Sequence, residues 1–135
     1  MKLLLGVYQL PEPMGGTTFD VAEILESKYG LFSHFSEYAE ESISDSIENS
    51  ISMAIEALNR GEDVHSLTMS GEEEVIVQFH QFLDKEIMAS LGVDGVPTQA
   101  ALNGVNHRLK SKNGKRRPSF IDTGTLRDSF VCWAE

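Results

Sequence analysis

The stretch between Gly30 and Gly61 restricts the fold more than any other part of the chain. Its apolar residues Phe35, Ala39, Ile43, Ile47, Ile51, Ile55 and Leu58 step by four, four, four, four, four and three. That spacing predicts one long helix, roughly Phe32 to Asn59, with a single apolar stripe. At about 1.5 Å per residue the rod would be about 40 Å long, which is long for a small domain. Glu37, Glu40, Glu41, Asp45 and Glu48, with serines between them, place solvated faces opposite the stripe.

The flanking segments add shorter elements. At 135 residues the chain suits a single domain, 1–135, because two halves would each lack a sufficient core. Apolar residues make up 41%, which argues against disorder. Residues 1–10 read as a short strand ended by Pro11-Glu12-Pro13 and Gly15-Gly16. Asp20 as N-cap, Glu23 as its capping-box partner and the Phe19/Ile24 staple predict a helix Val21–Tyr29 that stops at Gly30. Residues 62–69 read as a connector, and Ser70 to Glu73 as a second capping box. Val75, Ile76, Phe79, Phe82, Leu83 and Ile87 then give a broad apolar helix face up to Gly92. A turn over 92–97 leads to a short helix, Thr98 to about Leu109, which Gly104 weakens by about 1 kcal/mol. Asn113-Gly114 and Asp122-Thr123-Gly124 are turn signals, and Ser129 to Trp133 has strand composition. That last strand is expected to pair with the first or with another subunit. The expected fold class is α+β: a mainly helical single domain with a small sheet formed by terminal strands.

The net charge of −10 is unevenly spread. Residues 1–107 carry 4 Lys/Arg against 18 Asp/Glu, and residues 118–135 carry 1 against 3. Between them Arg108, Lys110, Lys112, Lys115, Arg116 and Arg117 stand without an acid. An acidic body with one basic segment, expected to be a flexible loop over 108–117, has three readings. The segment could neutralise nucleic-acid phosphates, dock on the acidic face of a neighbouring copy, or simply be a solvated loop. The second is preferred, since the acidic remainder would repel DNA at longer range.

Signals for catalysis are missing. His34, His65, His80 and His107 have no partner at metal-ligand spacing, so no metal or cofactor is expected. Cys132, between Val131 and Trp133, reads as a buried inert thiol, and a single cysteine excludes an internal disulfide. The carboxylate clusters Glu40/Glu41 and Glu72 to Glu74 read as solvated helix faces. Gly15-Gly16-Thr17-Thr18 lacks the lysine of a phosphate-binding loop. The chain is therefore not expected to be an enzyme. Leu3 to Leu5 with Val7 is too short to span a bilayer and makes a poor signal peptide, so no membrane partner is expected. Thr98-Gln99-Ala100-Ala101-Leu102 with Gly104-Val105 echoes a helix-turn-helix, but the glycine comes about three residues too early.

Pro118-Ser119-Phe120-Ile121-Asp122-Thr123-Gly124-Thr125-Leu126-Arg127-Asp128-Ser129-Phe130 resembles a signature of tail-completion and head–tail joining (neck) proteins of tailed bacteriophages, in which a basic loop precedes the segment. The match rests on Asp122, Thr123, Gly124, Leu126, Arg127 and Ser129. Gly95-Val96-Pro97-Thr98 with Gly104-Val105, and more loosely Asp20 to Leu25, also resemble phage structural proteins. The resemblance implies a virion protein, made in the host cytoplasm, that forms a homo-oligomeric ring and meets other neck or tail proteins. Transient contact with genomic DNA in the channel would follow. The physical expectation is that Asp122 or Thr123 caps a turn, Gly124 takes a positive φ and Leu126 docks on the core, while Arg127 and residues 108–117 engage acidic surface on neighbours. A small nucleic-acid-binding regulator using residues 98–117 is the alternative, and an acidic inhibitor or adaptor of a host protein is a third reading.

Overall fold

The long rod is present and is folded back upon. The computed structural model describes residues 3–13, 15–104, 114–121 and 124–134. In it α2 (Leu31–Asn59) and α3 (His65–Asp84) form a helical hairpin. Before the hairpin come β1 (Leu3–Val7) and α1 (Thr18–Tyr29). After it come the short helices α4 (Ile87–Ser90), α5 (Gln99–Leu102) and α6 (Thr125–Ser129), then β2 (Phe130–Ala134). β1 and β2 pair antiparallel, Leu3 opposite Ala134 through Val7 opposite Phe130, and α3 packs on β2. The expected fold class, mainly helical α+β with a sheet of terminal strands, is what the chain adopts.

Four phenylalanines lock these elements together. Phe35 of α2, Phe79 and Phe82 of α3 and Phe130 of β2 are all buried. Phe79 stacks on Phe130 with centroids 3.9 Å apart, and Phe35 meets Phe79, Phe82 and Phe130 edge-on at 5.1, 5.4 and 5.8 Å. Such pairs add about 0.5–1.5 kcal/mol each beyond the area they bury. Leu31, Leu83, Met88, Leu126 and Cys132 complete the core.

The start of α1 lies earlier than the expected cap at Asp20. Thr17 is the N-cap, and Asp20, three residues on, accepts the Thr17 backbone N–H at 2.8 Å. Thr18, the first residue of α1, ties this register to the preceding strand and loop: its buried hydroxyl donates to the Tyr8 carbonyl and accepts the Leu10 N–H at 3.0 Å. The shift also removes the expected staple, and Phe19 and Ile24 are both exposed. At the other end Gly30, with φ 64°, closes α1 and opens α2 at a single left-handed corner. Glu26 caps the new helix across that corner. Its carboxylate accepts the Phe32 and Ser33 N–H groups at 2.7 and 3.3 Å, and the Ser33 hydroxyl. Burial alone would raise its pKa, but the Ser33 hydroxyl and the two N–H groups outweigh it and hold the carboxyl below its ordinary value.

Three other expectations are corrected. The connector 62–69 is shorter than expected, because α3 begins at His65 and the supposed capping box Ser70 to Glu73 lies inside it. Packing along α2 overrides this local start signal: Gly71 comes so close that a Cβ there would lie 2.6 Å from the Ser50 hydroxyl. The helix expected over 98–109 ends at Leu102, since Gly104 turns left-handed at φ 62°. The expected strand from Ser129 is displaced by one residue, because Ser129 closes α6 by donating its hydroxyl to the Leu126 carbonyl at 2.7 Å.

The stripe on α2 is the largest correction. A residue four positions along an α-helix lies about 40° further round the axis, so a run of fours drifts instead of staying in line. Phe35 and Ala39 are buried and Ile43 and Ile47 half-buried, while Ile51, Ile55 and Leu58 are 43%, 55% and 62% exposed. The buried line in the distal half runs through Ser46 and Ala57 instead. Spacings of eleven residues return to about the same face, which is why Phe35, Ser46 and Ala57 share it.

Candidate assembly surface

Three features carry the chemistry expected of an assembly protein: the basic segment, the C-terminal motif and the uncovered face of α2. The basic segment is expected over 108–117, and Arg108, Lys110 and Lys112 lie outside the described residues. Its anchorage is visible at both feet. Thr98 caps α5, its hydroxyl accepting the Ala101 N–H at 3.2 Å, and the Thr98 N–H donates to the buried Ser119 hydroxyl at 3.0 Å. Asn103 accepts the Gly114 N–H at 3.3 Å, and Ala101 accepts the Arg117 N–H at 3.1 Å. At this crossing a Cβ on Gly104 would lie 2.3 Å from the Gly114 carbonyl carbon. Only glycine fits there, both for that approach and for its positive φ. The chain thus leaves and re-enters the body through one narrow neck.

The described cations at the returning foot have different surroundings. Lys115 is exposed. Arg116 pairs with Glu86 at 2.8 Å, and that carboxylate is mostly covered. Arg117 lines a cleft of about 260 Å³ with Glu12, Leu25, Tyr29, Phe120 and Leu126, and its guanidinium donates to the Ile121 carbonyl at 3.4 Å.

The motif residues act as a fastening. Asp122 and Thr123 lie outside the described residues, so their expected capping role falls beyond what is described. Gly124 has the expected positive φ, 82°, and opens α6. Leu126 is buried, as expected. Arg127 was expected to engage a neighbour; within its own chain it makes a two-pronged pair with Asp84, Nε to Oδ1 at 3.0 Å and Nη2 to Oδ2 at 2.8 Å. The Arg127 carbonyl also accepts an N–H from His80 Nε2 at 2.9 Å. His80 and Asp84, one turn apart on α3, therefore grip a single residue by backbone and side chain. Its hydrogen bonds with the Arg127 guanidinium hold the Asp84 carboxyl below its ordinary value, and Asp84 in turn raises the arginine. This grip was not read from the sequence, although the i, i+4 spacing of His80 and Asp84 was a usable signal.

On a helical wheel at about 100° per residue, Ile47, Ile51, Ile55 and Leu58 fall within an arc of about 80° on the side away from Phe35. Glu37, Glu40 and Ser44 occupy the same arc in the proximal half. The outer face of α2 therefore changes from acidic to apolar near its middle, and its distal half is uncovered among the described residues.

Other candidate chemistry is limited. Desolvation, with the nearby Glu72 charge, pushes the Cys132 thiol up to about 11, so it is protonated at neutral pH. His34 Nδ1 lies 3.0 Å from the Gly30 carbonyl at the helix corner. Among the described residues no group of three or more His, Cys, Asp or Glu could hold a metal ion, and no helix is long and apolar enough to cross a membrane. Comparison of the chain with protein-family models, curated proteins and solved structures finds no match.

Proposed function

We propose that the chain is a structural virion protein, a neck or tail-completion component of a tailed bacteriophage, that assembles with its own copies into a ring and joins the head connector to the tail. The charge layout carries this reading. Six cations fall in one short stretch of an otherwise acidic chain, and that stretch is anchored at a two-glycine neck. A cationic loop held at a fixed place and an acidic body on the same molecule attract between copies, and head-to-tail contacts of that kind close into rings. The resemblance of the segment from Pro118 to Phe130 supports the virion assignment. Other neck and tail proteins are the further partners.

The pairing of Arg116 and the inward position of Arg117 shape the test, because reversing either would also disturb the body. Lys112→Glu with Lys115→Glu alters the loop charge instead. The double variant should retain the wild-type melting temperature yet lose ring formation and incorporation into particles, and the wild-type contact should weaken with salt. Unchanged oligomer mass and unchanged particle yield would overturn the reading. Binding of a DNA duplex with a steep salt slope would favour a nucleic-acid-binding regulator using residues 98–117.

A further inference from the structure

We infer that Glu86 fixes both feet of the neck, one directly through Arg116 and the other through a single buried water shared with Ser119. The inference concerns how the segment between Gly104 and Gly114 is held and stands independently of the virion assignment.

Backbone geometry singles Glu86 out. It joins α3 to α4 at φ 51°, a left-handed conformation that suits glycine and not a residue with a Cβ. It is the N-cap of α4, yet its side chain makes no capping hydrogen bond there. The carboxylate is instead mostly covered, with only 17% of the side chain exposed. Oε2 takes the Arg116 guanidinium at 2.8 Å, while Oε1 is buried with no hydrogen-bond partner in the protein. A charged oxygen so placed is costly unless a donor reaches it.

The neighbouring groups supply that donor. Glu86 lines a small cavity of about 10 Å³ together with Phe82, Val96, Ser119 and Phe120. Ser119 is buried, and its hydroxyl accepts the Thr98 N–H at 3.0 Å. The hydroxyl proton goes to no group among the described residues. Phe120, at φ 71°, is the other left-handed residue besides the glycines among the described residues. Both strained positions thus border one cavity, and such strain persists only where the surroundings impose it.

Space decides between a direct bond and a bridge. Oε1 has no protein group within hydrogen-bond range, and a cavity of this size takes one water and nothing larger. That water accepts the Ser119 proton and donates to Oε1, which satisfies both side chains. The contacts then run from Arg116 through Glu86, the water and Ser119 to Thr98. Arg116 follows Gly114 by two residues, and Thr98 caps the helix that ends just before Gly104. The departing and returning strands therefore hang from one carboxylate, in addition to their own backbone bonds.

Glu86→Gly separates this role from that of a turn residue. Glycine relieves the left-handed backbone, so a residue needed only for the turn would leave a variant at least as stable as wild type. With the carboxylate as anchor, the amides of Thr98, Gly114 and Arg117 should instead exchange at least about tenfold faster, while those of Phe79 and Phe82 keep their wild-type rates. Ser119→Ala should release the Thr98 amide, and adding Glu86→Gly should quicken it no further, because one path serves both. A crystal structure of the wild-type chain should place a water about 2.7–3.0 Å from both Glu86 Oε1 and Ser119 Oγ. Unchanged exchange at either foot in Glu86→Gly, equal acceleration throughout the chain, additive effects at Thr98, or a protein donor bonded directly to Oε1 would each overturn the inference.

Discussion

The two halves of α2 belong to one continuous helix but meet different surroundings. The proximal half buries Leu31, Phe35 and Ala39 in the aromatic core, and its outer face is acidic. The distal half buries only Ser46 and Ala57 and turns its isoleucines outward. Large side chains hold the first half to the domain, whereas small ones let α3 approach the second. Apolar composition alone therefore says little about which face of a helix is buried. The rotation accumulated between residues decides that.

Phe35→Ala in the proximal half tests this contrast with the largest expected effect. It opens a cavity where three other rings converge, and should cost about 3–5 kcal/mol, read as a lower urea midpoint. A cost below about 1 kcal/mol would mean that the ring cluster does not organise the core. Ser46→Leu addresses the distal half, where close helix approach requires a small residue. Overpacking should cost about 1–3 kcal/mol, and a stabilised variant would show that the two helices separate easily there. The smallest effect belongs to the corner that starts α2. Glu26→Gln should cost about 1 kcal/mol at neutral pH, comparable to losing a helix cap. Because the folded pKa of Glu26 lies below its ordinary value of 4.5, its contribution is present above that value and fades as pH falls through the folded one. The stability difference between wild type and Glu26→Gln should therefore shrink in acid; a difference constant from pH 7 to about pH 2 would exclude the cap.

Much of the fold was legible because it is written locally. Gly30 and Gly61 bound α2, short apolar runs of strand composition mark the terminal strands, and Leu126 follows a glycine turn into the core. The failures share a cause. Thr17 and Asp20 both suit an N-cap, and the choice between them depends on Thr18 reaching back to Tyr8 and Leu10. Ser70 to Glu73 has the letters of a helix start, but contact with α2 overrides them. Of the surface expected for assembly, the sequence identified the cations but not their partners. Asp84 lies 43 residues before Arg127, and Glu86 lies 30 residues before Arg116. No window of local pattern spans such a distance. The glycine neck was missed for the same reason: Gly104 was read as a weakness in a helix, whereas its role comes from Gly114 crossing over it.

That crossing has a practical consequence. Because the backbone departs and returns at nearly the same point, the body is shielded from the length and content of whatever is strung between Gly104 and Gly114. An epitope or dye grafted between those two glycines should therefore leave the melting temperature of the framework unchanged.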